Sequence, residues 1–575
     1  AEMFPADNDK QEFSSKSTLL FPFFAQYLTD GVIRTIMPDT SEGDSDELRK
    51  KNTSNHWVDL CSLYGRNREQ TLALRLLSEE PGKKGKLKSQ KLKGEEFAPF
   101  LFDKNGKVKK EFEILDPVLA VGNAPPDKRK TIFAFGGDRA NLSPMAAMLN
   151  TLFLREHNRL AGVLESENPE WDEERVFEVS RNIIIAMFLK IVIEEYLNHI
   201  SSQSLVLRAY PSIAWTAPWN RPNWITTEFS LFYRWHGLVP ANVTWNGEAI
   251  PIQETLFNNN LLIKRGLVGS FEEASSQPAT KLKLRNMSGA LAVHEERGIN
   301  QGRLCELAPY TDYCEYFSLD RPQLWSDFSA DPVVVDKLKE LYDSPDHVEF
   351  YIGAFAGETT LNSPLSEFML RLAAVDAFSQ ALNSPMLSEH VWNEKTFTKT
   401  GWDTIQNTSS LKDVVTRVSG STPENFIGMT QPDWKREAPP SVLLTALKET
   451  FDLRKSKAGQ IRLAAFVITT IAEAVGLIFW LNLVGQDRNF QGFLWLVGGE
   501  AVEWAALAYM IAKSPLSYPK KQGHVGRSLV TSGLTSLSEA FLWVGWLLLI
   551  PVCSIWWASL ALLIAMHAKH VTEMT

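Results

Sequence analysis

Six ionisable side chains stand inside a strongly apolar C-terminal stretch: Glu473, Glu500, Glu503, Glu539, His567 and His570. Such groups are costly in apolar surroundings and default to function. Their spacing is ordered. ITTIAEA (Ile468–Ala474) is similar to LTSLSEA (Leu534–Ala540), and LWLVGGEAVEW (Leu494–Trp504) to ALLIAMHAKHV (Ala561–Val571). The stretch reads as a duplicated hairpin, with Glu473 superposed on Glu539, and Glu500 and Glu503 on His567 and His570. The first hairpin must turn at Gly485–Gln486–Asp487 and the second at Val552–Cys553, beside Pro551. Equal distances from each turn put Glu473 level with Glu500, and Glu539 level with His567. Each hairpin then offers one single ligand and one i,i+3 pair on a helix face. Carboxylates and imidazoles in this combination suit a metal site, mononuclear or dinuclear, holding iron or zinc. Di-iron carboxylate bundles use the same inventory, sorted there as Glu-x-x-His pairs. Two other readings stay open: a proton or quinone path, and protonated carboxyls hydrogen-bonded between helices. For His567 and His570 exposure at a membrane interface is a further alternative.

The elements that would hold these residues are four apolar segments, 461–485, 491–512, 529–550 and 552–570. Each has the length, roughly 20 residues, that crosses a bilayer. Lys455, Lys457 and Arg462 precede the first segment, and Lys513, Lys520, Lys521 and Arg527 lie between the second and third. The positive-inside rule then predicts an integral membrane protein whose large N-terminal region is cytoplasmic. No apolar leader precedes Phe4, in agreement with that orientation. The expected organisation is one domain over 1–455 and a four-helix transmembrane bundle over 456–575. The whole-chain composition, 44% hydrophobic and 22% charged, averages over this division and conceals it. A net charge of −9 argues against a nucleic-acid binder that relies on bulk charge. Four cysteines without a CxxC pair exclude a disulfide scaffold and give no zinc signature.

The polar region shows helical periodicity over Pro144–Glu165 and Asp172–Asn198 and few alternating strand patterns, so it reads as mainly α. Glu79–Glu96 and Pro125–Lys130, rich in Lys, Gly and Pro, read as surface loops. Four segments carry a resemblance. TLFLREHNRLA (Thr151–Ala161), TEFSLFYRWH (Thr227–His236), FPFFAQYLTDGVIRT (Phe21–Thr35) and Phe378–Val415 resemble, in the same order, parts of the heme peroxidase–cyclooxygenase superfamily. That group includes animal peroxidases, prostaglandin H synthases and fatty-acid dioxygenases. The resemblance runs from about residue 20 to 420 and implies a helical heme domain.

By this resemblance His236 matches the proximal heme ligand, a role that suits a neutral imidazole. Tyr233 matches the tyrosine whose radical removes hydrogen from a fatty acid. The two lie one turn apart if the segment is helical, so both could face one side; a packed tyrosine with a satisfied hydroxyl is the alternative. Gln26 matches the distal glutamine. Asp30 stands where the family carries its distal histidine, and a carboxylate of ordinary pKa, about 3.9, is a poor base unless burial raises it. Arg139 matches the catalytic arginine, and would polarise peroxide or else pair with Asp30 or a heme propionate. Leu142 replaces the glutamate that esterifies heme in mammalian peroxidases, which implies noncovalent heme b. The segment Asn55–Gly65 is similar to the family's calcium loop, but Asp59 is its only good oxygen ligand, so calcium is not expected.

The leading expectation is a membrane-tethered fatty-acid (lipid) dioxygenase/peroxidase, in which a ferryl heme and a tyrosyl radical oxygenate an acyl chain using peroxide and dioxygen. A peroxidase acting on small donors is one alternative. The other is a transmembrane di-metal oxidase or oxygenase with a degenerate peroxidase-like domain.

Overall fold

The computed structural model describes residues 2–436, apart from 8–9, 35–49, 56, 202–205 and 212–224, and apart from the side chains of 378–379. The tail, with Glu473, Glu500, Glu503, Glu539, His567 and His570 and the four apolar segments, lies outside the described residues. Among the described residues no helix is long and apolar enough to cross a membrane.

The described chain is mainly helical, with three small two-stranded antiparallel pairs. At its centre is the helix Pro144–Glu167. It starts where Ser143 accepts a hydrogen bond from the Ala146 amide and Pro144 takes the first turn, a combination that satisfies one orphan donor and fixes φ. Met145, Leu149, Leu152, Phe153 and Leu160 are all fully buried on it. The helices Leu20–Val32, Glu173–Ile191, Leu267–Ser275 and Leu411–Ser419 pack around it. Glu156 carries a charge into this core. It is fully buried and bonded by Arg159 at 2.7 and 2.9 Å and by Arg417 at 2.9 Å, which ties the central helix to Leu411–Ser419.

The expected helix over Asp172–Asn198 forms as Glu173–Ile191 and then loosens into a π-helical turn, Val192–Leu197. The expected loop Glu79–Glu96 holds part of a hairpin, Gln90–Leu92 paired with Glu95–Phe97. Lys93 and Gly94 both have positive φ, 49° and 86°, the conformation that closes a two-residue hairpin. Pro126–Arg129 is likewise a short helix rather than a loop.

Gly136 fixes the loop that carries Arg139. A Cβ at this position would overlap the backbone of Cys61 and Gly65, and the next residue, Gly137, donates its amide to Ser62 O at 2.9 Å. Gly136→Ala is expected to destabilise the protein by ~1–3 kcal/mol through overpacking, read as a lower denaturant midpoint. An unchanged midpoint would show that this close approach is not required.

Candidate functional site

The helix Thr227–Phe232 is capped by Thr226, whose hydroxyl accepts from the Phe229 amide and donates to Asp376 at 2.6 Å. It stops at Phe232, and His236 begins a separate 3-10 turn, His236–Leu238. Tyr233 and His236 therefore do not share one helix face, contrary to the one-turn expectation. Trp235 lies between them, with its ring stacked on Tyr233 at a centroid distance of 4.5 Å and 21° between planes. Tyr233 is buried among Phe229, Phe232 and Trp235. The Tyr196 hydroxyl donates to its oxygen at 3.3 Å. Burial pushes the Tyr233 phenol above its usual range, the Tyr196 hydrogen bond opposing and the Asp376 charge adding, so the ring is neutral at physiological pH.

The His236 imidazole is held from one side. Its Nδ1 is 2.6 Å from Glu295 Oε1, and the Tyr351 hydroxyl donates to Glu295 Oε2, also at 2.6 Å. Glu295 is fully buried, whereas a third of the His236 side chain is exposed. A carboxylate only accepts, so Nδ1 carries the hydrogen and Nε2 presents a lone pair. Nε2 has no hydrogen-bond partner among the described residues. A second imidazole, His294, lies 5.1 Å away between ring centroids. Burial first, then the neighbouring His236 and Arg297, lower its pKa to about 4 and keep it neutral. Arg234, next to Trp235, makes no side-chain hydrogen bond or ion pair among the described residues. Burial lowers its pKa, and the charges that act on it come from Tyr351, Glu295, Arg139 and Arg297.

Gln26 and Asp30 occupy successive turns of the Leu20–Val32 helix, with Gln26 Nε2 3.4 Å from Asp30 Oδ2. Arg139 reaches Asp30 Oδ1 at 3.4 Å and donates to Ile33 O at 2.8 Å, so of its expected roles the pairing with Asp30 is the one in place. Burial raises the Asp30 carboxyl to about 6, against the lowering effect of Arg139 and Gln26 and with a further rise from Asp138. Asp30 is thus not the ordinary acid of pKa about 3.9. Arg66 donates to the Asp30 carbonyl at 3.3 Å and joins Arg34 on Asp116 and Asp138. The same helix packs Phe21 against Trp235 and Tyr196, which couples its position to the Tyr233 segment. Of the calcium-loop residues, Asp59 accepts from Asn55 and from the Cys61 amide. Among the described residues no group of three or more His, Cys, Asp or Glu stands together as a metal site.

These residues fit a heme. Its iron needs one imidazole nitrogen, which His236 Nε2 would supply. Its two carboxylates need cations, and Arg234 is a largely desolvated guanidinium without a partner among the described residues, an arrangement that is costly until an anion arrives.

The chain matches the animal haem peroxidase family over residues 22–427. It is 30% identical to prostaglandin G/H synthase 1 of Rattus norvegicus over 419 residues, 73% of this chain and 65% of that protein. It is 29% identical to prostaglandin G/H synthase 2 of Bos taurus over 400 residues, 69% of this chain and 62% of that one. The chain therefore spans a little less than two thirds of the length of these curated relatives. Among solved structures, peroxidase A from Dictyostelium discoideum superimposes with a TM-score of 0.59 at 20% identity, covering 75% of this chain and 89% of that chain. The Oryza sativa fatty acid alpha-dioxygenase gives 0.58 at 16% identity, covering 75% and 80%. At these identities the solved structures show the fold alone.

Sequence reasoning missed Glu295, Tyr351 and Arg234. The first two lie far along the chain in helices of unremarkable pattern, and Arg234 fills the variable position of a Tyr-x-Trp-His element. Asp30 generates a prediction. Its folded pKa of about 6 lies above the ordinary value of 3.8, so between these the native state binds more protons than the unfolded chain. Stability is therefore expected to fall as pH rises from about 4 to about 6. Denaturant titrations at stepped pH should show this slope in the wild type and a shallower one in Asp30→Asn. Equal slopes would refute the raised pKa.

Proposed function

The chain belongs to the animal haem peroxidase family, and on that premise we propose that it is a membrane-tethered heme oxidoreductase that oxygenates an acyl chain with dioxygen after activation by peroxide. The observation that carries this reading is Tyr233: a buried, neutral phenol stacked on Trp235, three residues before the candidate ligand His236. When bound, heme supplies one-electron oxidising power once peroxide has reacted with it.

The residues divide the remaining work. His236 would hold the iron through Nε2, and Arg234 would pair with a heme carboxylate. Asp30 is ionised above its pKa of about 6 and so accepts the proton that peroxide must lose. Gln26 and Arg139 hold that carboxylate in place. As a buried neutral phenol, Tyr233 would give up its electron and its phenolic proton together to the oxidised heme and become a neutral radical. The radical takes a hydrogen atom from a C–H bond of the acyl chain, which restores the phenol. Dioxygen then adds to the carbon radical left behind, and the peroxyl radical takes a hydrogen atom back from the Tyr233 phenol, which leaves a hydroperoxide and the tyrosyl radical.

Support for the tether is the hydropathy of 456–575, and the flanking lysines and arginines favour a cytoplasmic N-terminal region. An acyl substrate partitioning from the bilayer suits such an attachment. The carboxylates and imidazoles at Glu473, Glu500, Glu503, Glu539, His567 and His570 support a separate iron or zinc site there. Elemental analysis of the full chain should then find metal beyond heme iron, reduced in Glu500→Ala and His570→Ala. Metal content unchanged by both substitutions would remove that site.

For the main reading, the heme-loaded protein should show a Soret band that His236→Ala loses or shifts. Oxygen uptake with a polyunsaturated fatty acid should vanish in Tyr233→Phe while that band remains. Uptake surviving the substitution at full rate would overturn the tyrosyl role. Oxidation of small donors with no uptake by the wild type would instead establish the small-donor peroxidase.

A further inference from the structure

We propose that Glu295 is a positioning residue for His236: together with Tyr351 it fixes which imidazole nitrogen faces the iron and how strongly that nitrogen donates. The proposal rests on the heme reading above and goes beyond it, because it assigns the control of the iron's reduction potential to a carboxylate in the protein core.

The geometry is specific. Glu295 sits on the helix Ala292–Leu304 and is fully buried. Each of its oxygens meets one donor at 2.6 Å, Oε1 the His236 Nδ1 and Oε2 the Tyr351 hydroxyl. Tyr351, on the helix Phe350–Ala356, reaches it because residue 298 is glycine. A Cβ there would lie 2.7 Å from Tyr351 Cζ and 2.9 Å from its hydroxyl. The helix is thus notched one turn after Glu295 to admit the phenol.

An Nδ1–H held by a carboxylate gives the imidazole part of the character of its anion. Nε2 becomes the stronger donor, and the oxidised metal is favoured over the reduced one. Tyr351 moderates this effect. By donating to the other oxygen it draws charge away from the His236 hydrogen bond. The two side chains therefore pull the potential in opposite directions, which a merely structural role for either would not produce.

The experiment uses the full chain loaded with heme and reads the iron(III)/iron(II) midpoint potential and the iron–imidazole stretching frequency of the reduced form. Glu295→Gln should raise the potential and lower the stretching frequency. Tyr351→Phe should do the reverse, lowering the potential and raising the frequency. Should Glu295→Gln fail to fold, Tyr351→Phe alone still has to lower the potential. The proposal is overturned if Glu295→Gln keeps its Soret band with potential and frequency unchanged, or if Tyr351→Phe leaves the potential unchanged or raises it. A wild-type protein that binds heme without an iron–imidazole stretch removes His236 as ligand, and the proposal with it. A wild-type protein with no Soret band overturns the heme reading itself, an outcome distinct from the others.

Discussion

The hydrogen bond from His236 to the buried carboxylate of Glu295 is the constraint around which one side of the site is built. A carboxylate taken wholly out of water costs several kcal/mol unless its oxygens are met by good donors. Here both are met, at 2.6 Å each. That requirement propagates outward. It needs Tyr351 at one distance and orientation, which needs the notch at Gly298, and so fixes how Phe350–Ala356 packs on Ala292–Leu304. It also needs the imidazole turned with Nδ1 inward, so that the more exposed edge of the ring is left for a ligand.

The Asp30 cluster rests on a different balance. Asp30 is largely removed from water, and that alone would favour the neutral form. Arg139 and Gln26 resist, Asp138 adds to the rise, and the result is a carboxyl near 6. A histidine in solution titrates close to the same value. In the proposed reading an aspartate in the histidine's place would keep the proton-transfer range while reversing the charge: the base would be an anion, so a cation must stand beside it. Arg139 is that cation, and the Gly136 contact with the Cys61–Gly65 backbone sets the loop that brings it there.

These balances explain which features are legible in the chain and which are not. The central helix is legible because Ser143, Pro144 and the apolar spacing of Met145, Leu149, Leu152 and Phe153 act locally. His236, Tyr233, Gln26 and Asp30 are legible through contiguous segments that resemble a family. Glu295 and Tyr351 are not, because their role depends on tertiary contact and neither belongs to such a segment. The raised pKa of Asp30 is foreseeable only as a condition, since burial is a property of the fold. The shared face expected of Tyr233 and His236 fails for a local reason: the helix ends at Phe232, and Trp235, with φ −86° and ψ 42°, turns the chain before His236. The reading of the tail comes from sequence symmetry and hydropathy, and it concerns residues outside those described.

That local break has a consequence for Tyr233. Were the helix continuous, Tyr233 and His236 would present adjacent side chains to one surface, with Trp235 directed elsewhere. Instead Trp235 stacks flat on Tyr233, and Phe229 and Phe232 close the remaining sides. The phenol is then enclosed by rings, and among the described residues its oxygen is hydrogen-bonded by Tyr196 at 3.3 Å. Tyr196 belongs to the π-helical turn Val192–Leu197. Such turns insert a residue into an otherwise α-helical ladder, which rotates the next stretch of helix, and they recur at functional sites. A hydrogen bond of 3.3 Å is long for two hydroxyls, so it orients the Tyr233 oxygen without strongly stabilising either protonation state. The radical role proposed for Tyr233 would draw on that combination: a ring enclosed by aromatic packing, and a polar contact weak enough that losing the hydrogen atom disrupts little.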